Sequence, residues 1–225
     1  MTVDELRLFK CSLIPDDFLF FVSKEFNTLT SIDPVIHNYA LTYALADQFH
    51  VMVKGYEPNY DELETFDNYA TPAVPNDTPR FVTHTYNAIC TRTNQTQSNY
   101  NVPAMGRNRK IAPQSSTFEF LVFSREGDIP PYVRVGKKSC ISQIESTELE
   151  IESIESEPEQ PIQTGVCFNL LDLSANDIVD SADMTMMFPT PVAMSMEVTA
   201  PHITFTHDGE RTVVPIPKHL RAEAN

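Results

Sequence analysis

Residues 99–123 read NYNVPAMGRNRKIAPQSSTFEFLVF, a polar stretch in which a glycine is followed at once by three cations and which ends in an apolar run. Its last seven residues, Thr117 to Phe123, decide the architecture. Phe118, Phe120 and Val122 would face one way and Leu121 and Phe123 the other, so this strand carries apolar side chains on both faces and belongs at the centre of a covered sheet. The residues before it behave differently. From Thr91 to Ser116 the large apolar residues are Tyr100, Val102, Met105 and Ile111, too few to bury a core of their own, and the stretch is expected to project as a loop or β-hairpin. Gly106 is expected to turn the chain there, fanning Arg107, Arg109 and Lys110 outward.

Working outward, Phe81 to Cys90 is long enough for a strand, with His84 and Tyr86 on the face of Val82 and Ala88. Leu6 to Leu13 predicts the first strand, closed by the turn signal Pro15-Asp16-Asp17. The best helix starts near Pro34 with Ser31 or Asp33 as its cap, and presents Ile36, Ala40, Tyr43, Ala44 and Asp47 as its stripe. His37, Asn38 and Tyr39 fall on its opening turn, where His37 reads first as an ordinary hydrogen-bonded histidine. Phe49 to Val53 reads as a short strand, and 55–80 as an ordered excursion with little regular structure. Beyond Pro130-Pro131 comes YVRVGKKSC, then an acidic ribbon, 141–161, in which Leu149 and Ile151 alternate with Glu148, Glu150 and Glu152. Its carboxylate face reads as a solvated sheet surface. Strands recur at Val192, Met194, Met196 and Val198 and across ITFTHDGERTVVPIP, where Asp208-Gly209 is a hairpin turn. The sum is an α+β fold, rich in strands, expected as a single domain over 1–225 with an insertion at 91–116.

Charge is segregated along the chain. Residues 80–138 hold nine basic residues (Arg80, Arg92, Arg107, Arg109, Lys110, Arg125, Arg134, Lys137, Lys138) and three acidic ones (Glu119, Glu126, Asp128), which makes the segment +6. The remaining 7 basic and 28 acidic residues give −21. One polyanion-facing surface on a body that repels polyanions would have this distribution, although a high-salt host also favours an acidic surface. Arginine offers a planar fork to phosphate, and Tyr100 can stack on an unpaired base. A second cluster, Arg134, Lys137 and Lys138 around Gly136, follows the central strand, so two glycine-plus-cation turns are expected to meet at one sheet edge.

Several classes lose support. The six glycines are too dispersed for G-x-G-x-x-G or G-x-x-x-x-G-K phosphate loops. Cys11, Cys90, Cys140 and Cys167 show no C-x-x-C spacing and read as half-buried reduced thiols, and the six histidines are not spaced for a metal. Neither cofactor nor metal is expected. The apolar run Phe18 to Val22 is far short of the roughly 20 residues that span a bilayer, and no secretory segment is visible, so a soluble, cytoplasmic protein is expected. No protease, hydrolase or kinase signature occurs. One catalytic arrangement stays open: His84, Tyr86 and Lys110 as base, acid and charge for metal-free RNA cleavage.

Four motifs in order, LFFVSKE, IHNYALTYAL, NYNVPAMGRNRKIAPQSSTFEFLVFS and PPYVRVGKKSC, spread over about residues 9 to 140, resemble the Cas-five-type (Csc-one) subunits of the type I-D CRISPR Cascade. The resemblance implies a repeat-associated mysterious protein (RAMP) with a ferredoxin-like or RRM-like palm, a mainly antiparallel sheet and a projecting β-hairpin thumb at 91–116. It implies a non-catalytic subunit of an antiviral ribonucleoprotein that binds the 5′ handle of the crRNA and caps the foot of the backbone filament. Its partners would be the Cas-seven-type backbone subunit, the large subunit and, near the PAM, target DNA. The RNA-binding residues would be Gly106, Arg107, Arg109 and Lys110, Arg134, Lys137 and Lys138 on handle phosphates, with Tyr100 as the stacking residue. Two other readings remain: a metal-independent crRNA-processing endoribonuclease and a protein-only assembly adaptor.

Overall fold

A computed structural model gives the structure of residues 6–26, 29–46, 53–54, 57–58, 60–88, 104–136 and 140–221. The apolar run becomes β10 (Phe118–Ser124), which lies between β1 (Arg7–Pro15) and β6 (Asn68–Ala70) in a six-stranded antiparallel sheet. The sheet continues through β12 (Cys140–Leu149) to β11 (Tyr132–Val135) at one edge, while β7 (Val74–Pro75) also pairs with β10. Alternation then builds two cores. Phe9, Cys11, Leu13, Phe118, Phe120, Val122, Val135 and Ile144 pack on one face under helix α1 (Asn38–Leu45), through Leu41 and Leu45. Leu8, Leu121, Phe123 and Leu149 pack on the other.

The second core is covered by the C-terminal strands. β13 (Ile151–Glu155), β18 (His202–His207) and β19 (Glu210–Pro215) form one sheet, which contributes Ile203, Phe205 and Val214. In another, β17 (Val192–Thr199) has β14 (Ile162–Thr164) and β15 (Phe168–Asn169) along one side and β16 (Ile178–Thr185) along the other, and contributes Phe168, Met196 and Val198. Asp208 and Gly209 turn β18 into β19 with φ of 52° and 81°, the paired positive dihedrals that a two-residue hairpin needs. A four-stranded sheet, β2 (Lys24–Phe26), β3 (Leu29–Ser31), β9 (Ala104–Ile111) and β8 (Phe81–Ala88), stands on the first core, and β4 (Val53–Lys54) pairs with β5 (Glu57–Pro58). Among the described residues no helix is long and apolar enough to cross a membrane. Cys11, Cys140 and Cys167 are free and buried rather than half-buried, while Cys90 lies outside the described residues.

Three expectations need correction. The helix begins at Asn38, because Ile36 exchanges two 2.9 Å backbone hydrogen bonds with Ala73 and keeps the chain extended. His37 is the cap: its Nδ1 accepts from the Tyr39 N–H at 3.2 Å. The fully buried stripe is accordingly Asn38, Leu41, Thr42 and Leu45, not the one running through Ala40, Tyr43 and Ala44, and Asp47 lies outside the described residues. The 55–80 excursion is more regular than expected, since β6 and β7 complete the main sheet. Of the expected Phe49 to Val53 strand only Val53 is described, and it pairs with Pro58.

The polar members of the helix stripe have a structural reason. Thr42 Oγ1 accepts from the Ala70 N–H at 3.0 Å. Asn38 Nδ2 donates to Asp172 at 2.9 Å, the Tyr69 hydroxyl donates to the same carboxyl at 2.8 Å, and Asn169 Nδ2 donates to Asn38 at 3.2 Å. Asn169 Oδ1 accepts from Thr190 at 2.9 Å, and Thr190 Oγ1 lies 3.0 Å from His37 Nε2. Because His37 Nδ1 is an acceptor, Nε2 carries the proton and donates. This buried chain clasps α1 and β6, beside the first core, to the Asn169–Asp172 turn and Thr190 of the C-terminal layer. Removing one partner strands the others in a medium without water, which costs about 1–3 kcal/mol per group.

Burial pushes the Asp172 carboxyl up to about 7 and the His37 imidazole down to about 4. Their effects on stability run in opposite directions. Asp172 binds its proton more tightly folded than unfolded, so its contribution is full below pH 3.8 and is lost as pH rises to about 7. His37 contributes above its ordinary value of 6.5 and loses that contribution as pH falls to about 4. Urea unfolding of the wild type and Asp172→Asn isolates the first: the stability advantage of the wild type is expected to shrink steadily between about pH 4 and pH 7. An advantage that grows over that range would show that the carboxyl is charged in the folded protein.

Candidate nucleic-acid interface

The cations after Gly106 stand on a strand. The β8–β9 ladder runs without interruption from Ala88↔Ala104 to Phe81↔Ile111, with Gly106 opposite Tyr86, and β3 pairs in parallel along the other side of β9. The expected turn at Gly106 is therefore absent: pairing with Tyr86 keeps the backbone extended there, β3 adds a second partner from Arg107 to Arg109, and pleating rather than a turn distributes the side chains. Arg107 and Arg109 share one face with Thr83 and Thr85, and all four are exposed. Two residues apart, the arginines sit about 7 Å from each other along the strand. The Arg109 guanidinium lies 4.0 Å over the Phe81 ring, which holds the planar fork in place while its edge stays open to solvent.

Lys110 belongs to the opposite face, with Asn108, Val82 and His84. Its Nζ lies 5.8 Å from the Phe18 ring and 5.9 Å from Phe20, and Phe18 meets the His84 ring edge-on at 4.6 Å. Asn108 Oδ1 accepts from Thr30 Oγ1 at 2.6 Å. Segment 18–20 is tied to the hairpin root by reciprocal Leu19–Ile111 backbone bonds of 3.1 and 3.0 Å. It also meets the second glycine. Gly136 has φ of 80°, and a Cβ there would come 2.7 Å from the Phe20 carbonyl oxygen, so Lys110 and the Gly136 turn both abut Phe20. Arg134 stands exposed on edge strand β11, beside Tyr132, which is 61% exposed and on the same face. Tyr100, Lys137 and Lys138 lie outside the described residues.

The aromatic partners Phe18, Phe20 and Phe81 have a sequence signal, since FLFFV at 18–22 places two of them in one short apolar run. That run is too short for a membrane and so passes as plain core. The hairpin arms are Phe81–Ala88 and Ala104–Ile111, while residues 112–116 already fold back onto the body through Ala112 N–H to the Arg80 carbonyl at 2.8 Å and Ser116 Oγ to the Asp77 carbonyl at 3.2 Å. A separate cleft of about 270 Å³ is lined by Lys10, Glu119, His207, Asp208 and Glu210 among others. Its Lys10 and His207 already face Glu119 at 3.6 Å and Asp208 at 3.2 Å, which leaves no excess positive charge for a phosphate. Among the described residues no group of three or more His, Cys, Asp or Glu side chains is arranged to hold a metal ion.

Comparison with known proteins supplies the class, a CRISPR-associated protein. The sequence matches the family model described as type I-D CRISPR-associated protein Cas5/Csc1 over residues 6–223, and the chain belongs to that family. It is a CRISPR Cascade subunit. No curated protein sequence matched. Among solved structures the chain is similar to one chain of the Type III-B Cmr-beta complex bound to cognate target RNA and AMPPnP, at 11% identity, covering 91% of this chain and 86% of that chain with a TM-score of 0.44. It is also similar to a CRISPR protein from Archaeoglobus fulgidus, at 10% identity, covering 93% and 100% with a TM-score of 0.41.

The contact of Gly136 with Phe20 is testable. Gly136→Ala places a methyl against the Phe20 carbonyl in a backbone conformation that L side chains disfavour, and is expected to lower stability by at least about 1 kcal/mol in urea unfolding. Gly165→Ala, with nothing within 4 Å of its Cβ and no positive φ, is the control and is expected to change stability by less than about 0.5 kcal/mol.

Proposed function

We propose that this chain is the non-catalytic Cascade subunit that binds the 5′ handle of the crRNA, caps the foot of the backbone filament and contacts the large subunit near the PAM. The observation that carries the reading is the exposed Arg107–Arg109 pair on β9, inside the +6 segment of a chain that is −21 elsewhere. Two arginines whose backbone positions are about 7 Å apart along the strand offer two forks to successive phosphates of a single strand. The Lys110, Phe18 and Phe20 face supplies a second cation over aromatic rings, and Tyr132 with Arg134 a third contact. The main sheet with α1 serves as a ferredoxin-like palm, and the β8–β9 hairpin as the thumb. Handle bases are read splayed out, because A-form grooves hide base edges. The Cas-seven-type backbone subunit, the large subunit and PAM-proximal target DNA are the partners of this role. Its acidic remainder keeps other RNA away and suits basic partner surfaces.

A processing-nuclease reading draws on one observation, that His84 and Lys110 share a face of the hairpin. Repeat RNA incubated with the purified chain in EDTA separates the two, since a metal-free nuclease would cut it and a handle-binding subunit leaves it intact. For the leading reading, Arg107→Ala/Arg109→Ala is expected to reduce the salt dependence of handle-oligonucleotide binding. The slope of log K against log salt should fall by about 1.4, or about 0.7 for each lost phosphate contact on single-stranded RNA. Complexes purified with the variant should be depleted of guide RNAs sharing one 5′ end. An unchanged slope and RNA content would leave the protein-only adaptor.

A further inference from the structure

Strand β16 and the residues after it are covered less than any other regular part of the described chain. Ile178, Val179, Met184, Met186 and Phe188, 40 to 77% exposed, are five of the eight large apolar side chains exposed among the described residues, and such a concentration points to an interaction site. Ala182 packs on the second core and Met187 against the Val35, Cys167 and Val192 cluster, but their neighbours point away. β16 pairs with β17 on one side, and among the described residues no strand pairs with its other side. The element is fixed in place. Asp177, just before it, receives both terminal nitrogens of Arg221 at 2.8 and 2.7 Å, and Arg221 Nε donates to the Ile216 carbonyl at 2.8 Å.

Charge narrows what can cover this edge. From residue 139 to residue 210 the chain has 14 acidic residues and no Lys or Arg, so a nucleic acid is repelled. A second copy paired through β16 would bring the exposed Asp180 and Asp183 of both chains together, and like charges across a strand pair are destabilising. An occupant that buries the methionines and the phenylalanine while neutralising the aspartates needs apolar side chains flanked by cations.

We infer that β16 and residues 186–188 form a docking surface for an extended, lysine- or arginine-flanked apolar segment of another protein of the complex, an inference that does not depend on RNA binding by the hairpin. Hydrogen exchange of residues 178–188, in the purified chain and in the complex formed with its co-encoded protein subunits, tests it directly. Protection of at least tenfold in the complex is expected, and equal exchange in both would overturn it. Asp180→Lys/Asp183→Lys, confined to exposed side chains, is expected to weaken assembly at least tenfold at low salt while handle-oligonucleotide binding stays at the wild-type level. Loss of handle binding by Arg107→Ala/Arg109→Ala with assembly intact would separate the two surfaces. Wild-type assembly by the lysine variant, or a concentration-dependent dimer of the free chain that the variant abolishes, would sink the proposal.

Discussion

Burial of β10 on both faces is the constraint on which the rest of the molecule depends. Phe118, Phe120 and Val122 belong to the first core, Leu121 and Phe123 to the second, and Glu119 escapes by reaching Lys10 at 3.6 Å. A slip of one residue would exchange the two sets and drive Glu119 inward, so the register against β1 has no near competitor. Each fully buried phenylalanine or leucine contributes about 1.5–3 kcal/mol. With β10 fixed, the short link back to Ile111, itself fully buried in the first core, fixes the root of the β8–β9 hairpin. The hairpin then carries its cations outward from a rigid base, and binding residues on rigid elements hold their geometry better than residues on loops.

Pleating sorts the cations of β9 more finely than a turn would. Arg107 and Arg109 take the solvent face, where a fork can meet phosphate, and Lys110 takes the face where Phe18 and Phe20 lie beneath it. Elsewhere the surface is acidic. Glu145, Glu148, Glu150 and Glu152 are exposed along the ribbon, with Glu148 held by the bidentate Arg7 at 2.7 and 2.6 Å. An exposed pair of this kind adds little stability. Its consequence is electrostatic: the potential around the body discourages polyanion binding and leaves the hairpin as the region that opposes it least.

The central strand with its two apolar faces and the Asp208-Gly209 turn were legible in the sequence because each follows from one-dimensional periodicity or a local dihedral requirement. The helix start and its stripe were not. Asn38 and Thr42 point inward for the sake of partners 28 to 134 residues away, among them Ala70 and Asp172, and an apolar-only pattern has no place for them. Gly106 misled for a related reason. A glycine beside cations reads as a loop when considered alone, whereas its partner Tyr86 on β8, 20 residues away in sequence, decides that it is extended. The cation cluster itself was legible from composition, while its division between two faces required the register. β16 escaped notice because IVDSADMT gives neither a clean alternation nor a buried run.

The two candidate surfaces arise from opposite faces of one sheet. The hairpin is rooted in the first core through Ile111 and Leu19, and β16 in the second through Ala182 and its pairing with Met196. What ties the layers together, apart from β10 itself, is the buried chain from His37 through Thr190, Asn169 and Asn38 to Asp172 and Tyr69. A polar clasp of this kind is a poor source of net stability but a strict one of geometry, because any relative shift of the layers leaves donors and acceptors unpaired where water cannot reach them. An apolar interface would tolerate sliding and repacking. The clasp therefore explains why the polar face of α1 is turned inward: it keeps the hairpin and the edge strand at a set separation, as the proposed engagement of an RNA strand and a protein partner at once would require.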